Sequence, residues 1–139
     1  MKILISSLEK FYSYLPSLSP SLKEFIVKIL PLFAIFFGVL VTLASVLDFL
    51  GSAFISSLAL GGGPSIVQQL LLRSVLGIVQ GILMIFAFTP LKHKHQSGWK
   101  LLFLSQVIWI IAAVVSLNPT VILGFIILYP LFQVKSYFN

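Results

Sequence analysis

Thr89-Pro90-Leu91-Lys92-His93-Lys94-His95-Gln96-Ser97-Gly98-Trp99-Lys100 is a short basic hinge between two apolar runs, and its reading decides the fold. The run before it, from about Gln69 to Thr89, and the run after it, Trp99 to Leu117, each extend roughly 28–32 Å as a helix, enough for a hydrocarbon core of about 30 Å. A chain that is 59% hydrophobic and 9% charged, with mean hydropathy +1.13, cannot hide its apolar surface inside a globule of 139 residues. Lipid is its expected solvent, and the expected class is an all-α membrane protein with four transmembrane helices arranged as two antiparallel hairpins.

Upstream of the hinge, the first span is expected at about 29–47, a stretch with no charge. Ser21 and Glu24 stand at capping-box spacing before it, and Pro31 falls near its start, where a missing N–H is tolerated. Apolar character continues to Leu60, and one straight helix from Ile29 would reach about 48 Å. A break at Asp48 and Gly51 is therefore predicted, leaving 52–60 as a short interfacial or re-entrant piece before the turn Gly61-Gly62-Gly63-Pro64. The second span covers 69–89. Residues 1–20 form a separate segment in which Leu4, Leu8, Phe11 and Leu15 recur at helical spacing, predicting an amphipathic helix in the interface plane; a frayed terminal arm is the alternative. Glu9 and Lys10 interrupt its apolar run, which argues against a secretory signal.

Downstream, the third span is expected at 99–117, with Ser97 or Gly98 as its cap. Asn118 as N-cap and Pro119 as first helical residue open the fourth, 119–135, so that 21–139 make up the transmembrane domain. Because 120–134 is only about 22 Å long, Pro130 is expected to kink a helix that continues toward Tyr137. Tyr129, Tyr137, Phe138 and Lys135 supply an interfacial anchor.

The charges predict orientation. Lys2, Lys10, Lys23 and Lys28 precede the first span, Lys92, Lys94 and Lys100 lie between the second and third, and Lys135 follows the fourth, so all eight lysines fall on one side. The positive-inside rule puts that side, with both termini, in the cytoplasm, and so lopsided a count argues against a dual-topology dimer. Membrane lipids are the expected partners: Lys92, Lys94, Trp99 and Lys100 should lie at headgroup depth. The net charge of +6 does not point to nucleic acid, because the lysines are scattered beside apolar spans with no stacking face.

Within the spans, Gly77 and Gly81 form a G-x-x-x-G pair that Ser74 extends, a ridge another helix could approach closely, although glycine is common in membrane helices anyway. Gln80 and Gln106 are intramembrane amides, costly unless they face protein. Asp48 and Arg73 can reach similar depth in an antiparallel pair; they either form an ion pair or separate, with Arg73 snorkelling to headgroups and Asp48 facing water.

No catalytic, cofactor or metal constellation accompanies these residues. There is no cysteine, His93 and His95 are two apart with no third ligand nearby, and no G-x-S-x-G elbow is present. The chain is expected to be no enzyme and to need no cofactor. A structural or accessory protein, assembling with itself or as a subunit of a larger membrane complex, is the first functional expectation, and a small oligomeric transporter or channel the alternative.

The hinge Leu91-Lys92-His93-Lys94-His95-Gln96-Ser97-Gly98-Trp99-Lys100-Leu101-Leu102-Phe103-Leu104-Ser105 and the ending Tyr129-Pro130-Leu131-Phe132-Gln133-Val134-Lys135-Ser136-Tyr137 resemble those of a group of small bacterial four-helix membrane proteins with a basic-Gly-Trp-Leu-Leu-Phe loop. That resemblance implies the topology and a bacterial cytoplasmic membrane. It implies no chemistry.

Overall fold

In the computed structural model, which describes residues 2–57, 64–116 and 118–138, the chain is all-helical. In order come α1 (Lys2–Ser13), α2 (Pro20–Ser57), α3 (Pro64–Lys92), α4 (Gln96–Val115) and α5 (Val121–Gln133), closed by a 3-10 turn at Lys135–Tyr137. Three of them, α2, α3 and α4, are long and apolar enough to cross a membrane; α5, with 13 residues, is apolar but only about 20 Å long. The expected turn at 61–63 lies outside the described residues.

The predicted break at Asp48 and Gly51 does not occur. α2 runs on through 38 residues to Ser57, roughly 57 Å. One interior glycine costs a helix only about 1 kcal/mol, and packing against α3 offsets it. Gly38, Thr42, Ser45 and Ser52 follow one another along one face of α2, and Ser52, 5% exposed, is still buried beyond the expected break. Its hydroxyl donates to Phe49 O at 2.9 Å, so burial leaves it satisfied. Helix α2 also begins two residues earlier than the capping box suggests, with Pro20 as first residue and Ser19 O accepting from Lys23 N–H.

The hinge is tighter than twelve residues. α3 absorbs Pro90 and ends at Lys92, and α4 restarts at Gln96 with His95 at its N-cap, so Ser97 and Gly98 lie inside the first turn and do not cap it. His95 N–H donates to Pro90 O at 2.8 Å and Lys94 N–H to Leu91 O at 3.0 Å, the paired bonds of a Schellman ending, with Lys94 left-handed at φ 56° where glycine is usual. Gly98 permits the close return: a Cβ there would lie 2.6 Å from Leu91 N.

At the other end, Asn118 does not cap α5 directly. Its Oδ1 accepts from Thr120 N–H at 3.0 Å, forming an Asx turn, and the helix starts at Val121. Pro130 sits inside α5 without ending it, but the helix stops at Gln133, and the expected continuation toward Tyr137 is a 3-10 turn.

Neighbours in sequence pack together, α2 on α3, α3 on α4 and, less extensively, α4 on α5, while α5 barely touches α2. The buried core gathers at the hinge end: Trp99, Phe103, Leu91, Leu128, Val134, Phe132 and Phe138, with Val27, Ala34 and Tyr12 joining from α2 and α1. Trp99 lies parallel to Phe103 at 5.5 Å, and Phe132 meets both edge-on. Trp99, expected at headgroup depth, turns its ring into this core. Its indole is 1% exposed, and its Nε1–H donates to Leu131 O at 2.7 Å. That carbonyl belongs to the last turn of α5, where backbone partners run out, so Trp99 acts as a side-chain cap. Phe138, expected in an interfacial anchor, is likewise buried at 3% exposure.

α1 rests on the end of α5. Its buried side is led by Tyr12, with Ile5 and Leu8 partly covered, whereas Phe11 and Leu15 of the expected apolar face stay exposed. Tyr12 stacks on Phe132 at 5.2 Å and donates to Phe125 O at 2.8 Å. Glu9 pairs with Lys135 at 2.8 Å, and Tyr129 donates to Pro16 O. Burial raises the Tyr12 pKa above the ordinary tyrosine value. Since the folded pKa is the higher one, Tyr12's contribution is fully present below pH about 10 and is lost as pH climbs through the raised value. A fluorophore on α1 should therefore report undocking only in that alkaline window. Tyr12→Phe, which keeps the ring but loses the hydrogen bond, should weaken docking by about 1 kcal/mol at neutral pH and abolish the alkaline step.

Candidate functional site

Beside the aromatic core, helices α2 to α5 border a half-open cavity of about 630 Å³. Each long helix turns one face to it. α3 contributes Arg73, Gly77, Gln80 and Met84, and α4 contributes Leu102, Gln106, Trp109, Ala113 and Ser116, both sets at alternating spacings of three and four. α2 supplies Leu30, Phe33, Phe37, Val41, Ser45 and Asp48, and α5 supplies Ile127 and Leu131. The lining is graded: Asp48, Arg73, Ser116, Asn118 and Thr120 ring the end remote from the hinge, Gln80 and Gln106 lie midway, and Leu30, Leu102 and Leu131 are apolar against the aromatic core.

Gln80 and Gln106 are 8% and 9% exposed. Gln106 Oε1 is buried and has no hydrogen-bond partner among the described residues. An orphaned amide oxygen costs about 1–3 kcal/mol, which marks this polar group as an unusual feature of the cavity wall. The cavity is also open sideways: Phe33, Phe37, Leu40 and Ile127 line it yet remain 39–52% exposed, because α2 and α5 hardly meet.

Of the residues singled out in the sequence, Asp48, Arg73, Gln80 and Gln106 converge on this one cavity. Of the two arrangements left open for Asp48 and Arg73, the structure has the separated one: both residues are exposed where they line the cavity, and the only ion pair among the described residues is Glu9–Lys135. Ser74, Gly77 and Gly81 lie in the α2–α3 contact. A Cβ on Gly81 would fall 2.8 Å from both Gly38 O and Thr42 N, and one on Gly77 would fall 3.0 Å from Ser45 Cβ. The facing ridge Gly38, Thr42, Ser45 was not anticipated, although its spacing of four and three repeats the small-residue pattern already noticed on α3. Lys92, Lys94 and Lys100 are exposed, as are His93 and His95; His93 Nδ1 is 2.9 Å from Thr89 O, helping to close α3. Among the described residues, no three His, Cys, Asp or Glu side chains gather into a metal site.

These features define an all-helical chain of membrane type, with three candidate spanning helices compatible with a multi-pass integral membrane protein. Searches against known protein families, curated proteins and solved structures find no match.

Proposed function

We propose that the chain crosses the membrane four times, α5 completing the fourth passage with the help of its flanking turns, and that both termini and the hinge lie in the cytoplasm. The one-sided lysines support this orientation. Within that frame the protein binds a small solute inside the bilayer, as a small transporter or carrier does, and performs no covalent chemistry. The convergence of Gln80 and Gln106 with Asp48 and Arg73 on one cavity carries this reading, since intramembrane polar groups that face a shared space mark binding or permeation. On this reading the polar end of the cavity faces outward and the aromatic core closes its cytoplasmic end, the arrangement of an outward-open carrier.

A second reading, structural or accessory assembly with another copy or a larger membrane complex, draws on the gap between α2 and α5, which a partner helix could fill. One experiment separates the two. The chain has no cysteine, so Ala113→Cys places a single thiol on the cavity wall. A membrane-impermeant thiol reagent added outside intact cells should modify it if the cavity holds water and solute. Protection in the membrane, relieved once detergent separates the protein from a partner, would favour assembly.

A further inference from the structure

A second cleft, at the hinge end, has a different chemistry. It lies between the start of α2 and the end of α3 and is bounded by Lys28, Lys92 and Lys94, by Glu24, and by Tyr137 of the closing turn. Its remaining wall is apolar, including Leu32, which is 63% exposed, and Phe88. Three cations and one anion thus border one space, directly beside the point where the uncharged stretch of α2 begins. Lys94 reaches it from the left-handed position of the Schellman ending, a conformation that costs a non-glycine residue about 1–2 kcal/mol.

We infer that this cleft is a binding site for an anionic phospholipid of the phosphatidylglycerol type. The phosphate would take the place between Lys28, Lys92 and Lys94; a hydroxyl of the head would donate to Glu24, and an acyl chain would run along Leu32 and Phe88. Lysine ammoniums recognise phosphate as point charges, and Glu24 selects a head with hydroxyl donors over a bare phosphate. A soluble phosphate would use only the cationic half of the site, whereas a lipid uses the apolar wall as well. On the proposed topology the cleft lies at the cytoplasmic leaflet, where anionic lipids are concentrated. The inference holds or fails independently of the cavity between α2 and α5.

The test is lipid capture by the purified full-length protein, reconstituted in vesicles of phosphatidylcholine with a minority of phosphatidylglycerol and then extracted for native mass measurement. Wild type should retain phosphatidylglycerol over phosphatidylcholine by roughly tenfold, with about fivefold lost per lysine removed until the preference is gone. Lys28→Gln, Lys92→Gln and Lys94→Gln together should abolish the preference. Lys10→Gln and Lys23→Gln together remove charge outside the cleft and should leave the preference nearly intact. A loss from this pair equal to that of the cleft variant would overturn the site and leave only a diffuse basic surface. Full displacement of the lipid by millimolar inorganic phosphate would also overturn it, showing that the apolar wall contributes nothing. Lys28, Lys92, Lys94 and Lys10 are exposed and Lys23 is half-buried, and melting in pure phosphatidylcholine checks that both variants remain folded.

Discussion

Trp99→Ala is expected to destabilise the protein by about 3–5 kcal/mol, the range for truncating a large buried aromatic, and to release the end of α5 and α1 with it. Several losses coincide at this one position. The indole is 1% exposed, so its removal leaves a cavity among Phe103, Phe132 and Leu131. Its Nε1–H caps Leu131 O, which would then be left without that donor in a buried place, adding about 1 kcal/mol or more. Phe132, which meets Trp99 edge-on, also carries the stack with Tyr12 that holds α1. Trp99→Phe separates the effects: it restores most of the packing but not the cap, and should cost about half as much. Thermal unfolding in detergent, followed by circular dichroism, measures both. If Trp99→Ala melted within a degree or two of wild type, the hinge-end core would not be what holds α5 in place.

The second large effect is expected at Gly81. A side chain there meets the Thr42 hydroxyl and, behind it, backbone that cannot swing aside: Gly38 O and Thr42 N both lie 2.8 Å from where Cβ would be. Gly81→Leu must therefore push α2 and α3 apart along the broadest helix contact in the protein. Overpacking of this kind costs typically 1–3 kcal/mol and more where backbone must move, and in a membrane no hydrophobic gain between helices compensates. Loss of the folded species on purification is the expected result, with Gly51→Leu as the control, because nothing lies within 4 Å of a Cβ at that glycine. Normal yield and mass for Gly81→Leu would place the α2–α3 contact elsewhere.

The parts of this fold that were legible in the sequence are those set by local chemistry. Uncharged runs of helical length mark α2, α3 and α4, and the basic hinge separates the last two of these. Small residues at intervals of three and four mark the face of α3 that meets α2. What could not be read depends on the partner surface. Asp48 and Gly51 look like a helix end until Ser52 is seen buried beyond them on the face that continues Gly38, Thr42 and Ser45. Trp99 beside Lys100 has the composition of an interface belt, and only the return of α5 makes its indole a cap. Tyr12 falls outside the apolar stripe read from Leu4, Leu8, Phe11 and Leu15, because its hydroxyl finds Phe125 O across the chain. Asp48, Arg73, Gln80 and Gln106 were each visible as polar residues in or beside the spans. Their convergence was not, since it depends on the rotation of three helices about their own axes.

The proposed four-crossing topology underlies the proposed orientation, outward-facing cavity and cytoplasmic lipid cleft alike, and cysteine accessibility tests it most directly. With no native cysteine in the chain, Ser97→Cys in the hinge and Thr120→Cys before α5 give one reporter on each side. In intact cells an impermeant reagent should modify the residue at 120 and spare the residue at 97, and permeabilisation should expose 97. Labelling of 97 from outside, or of 97 and 120 from the same side, would contradict the account.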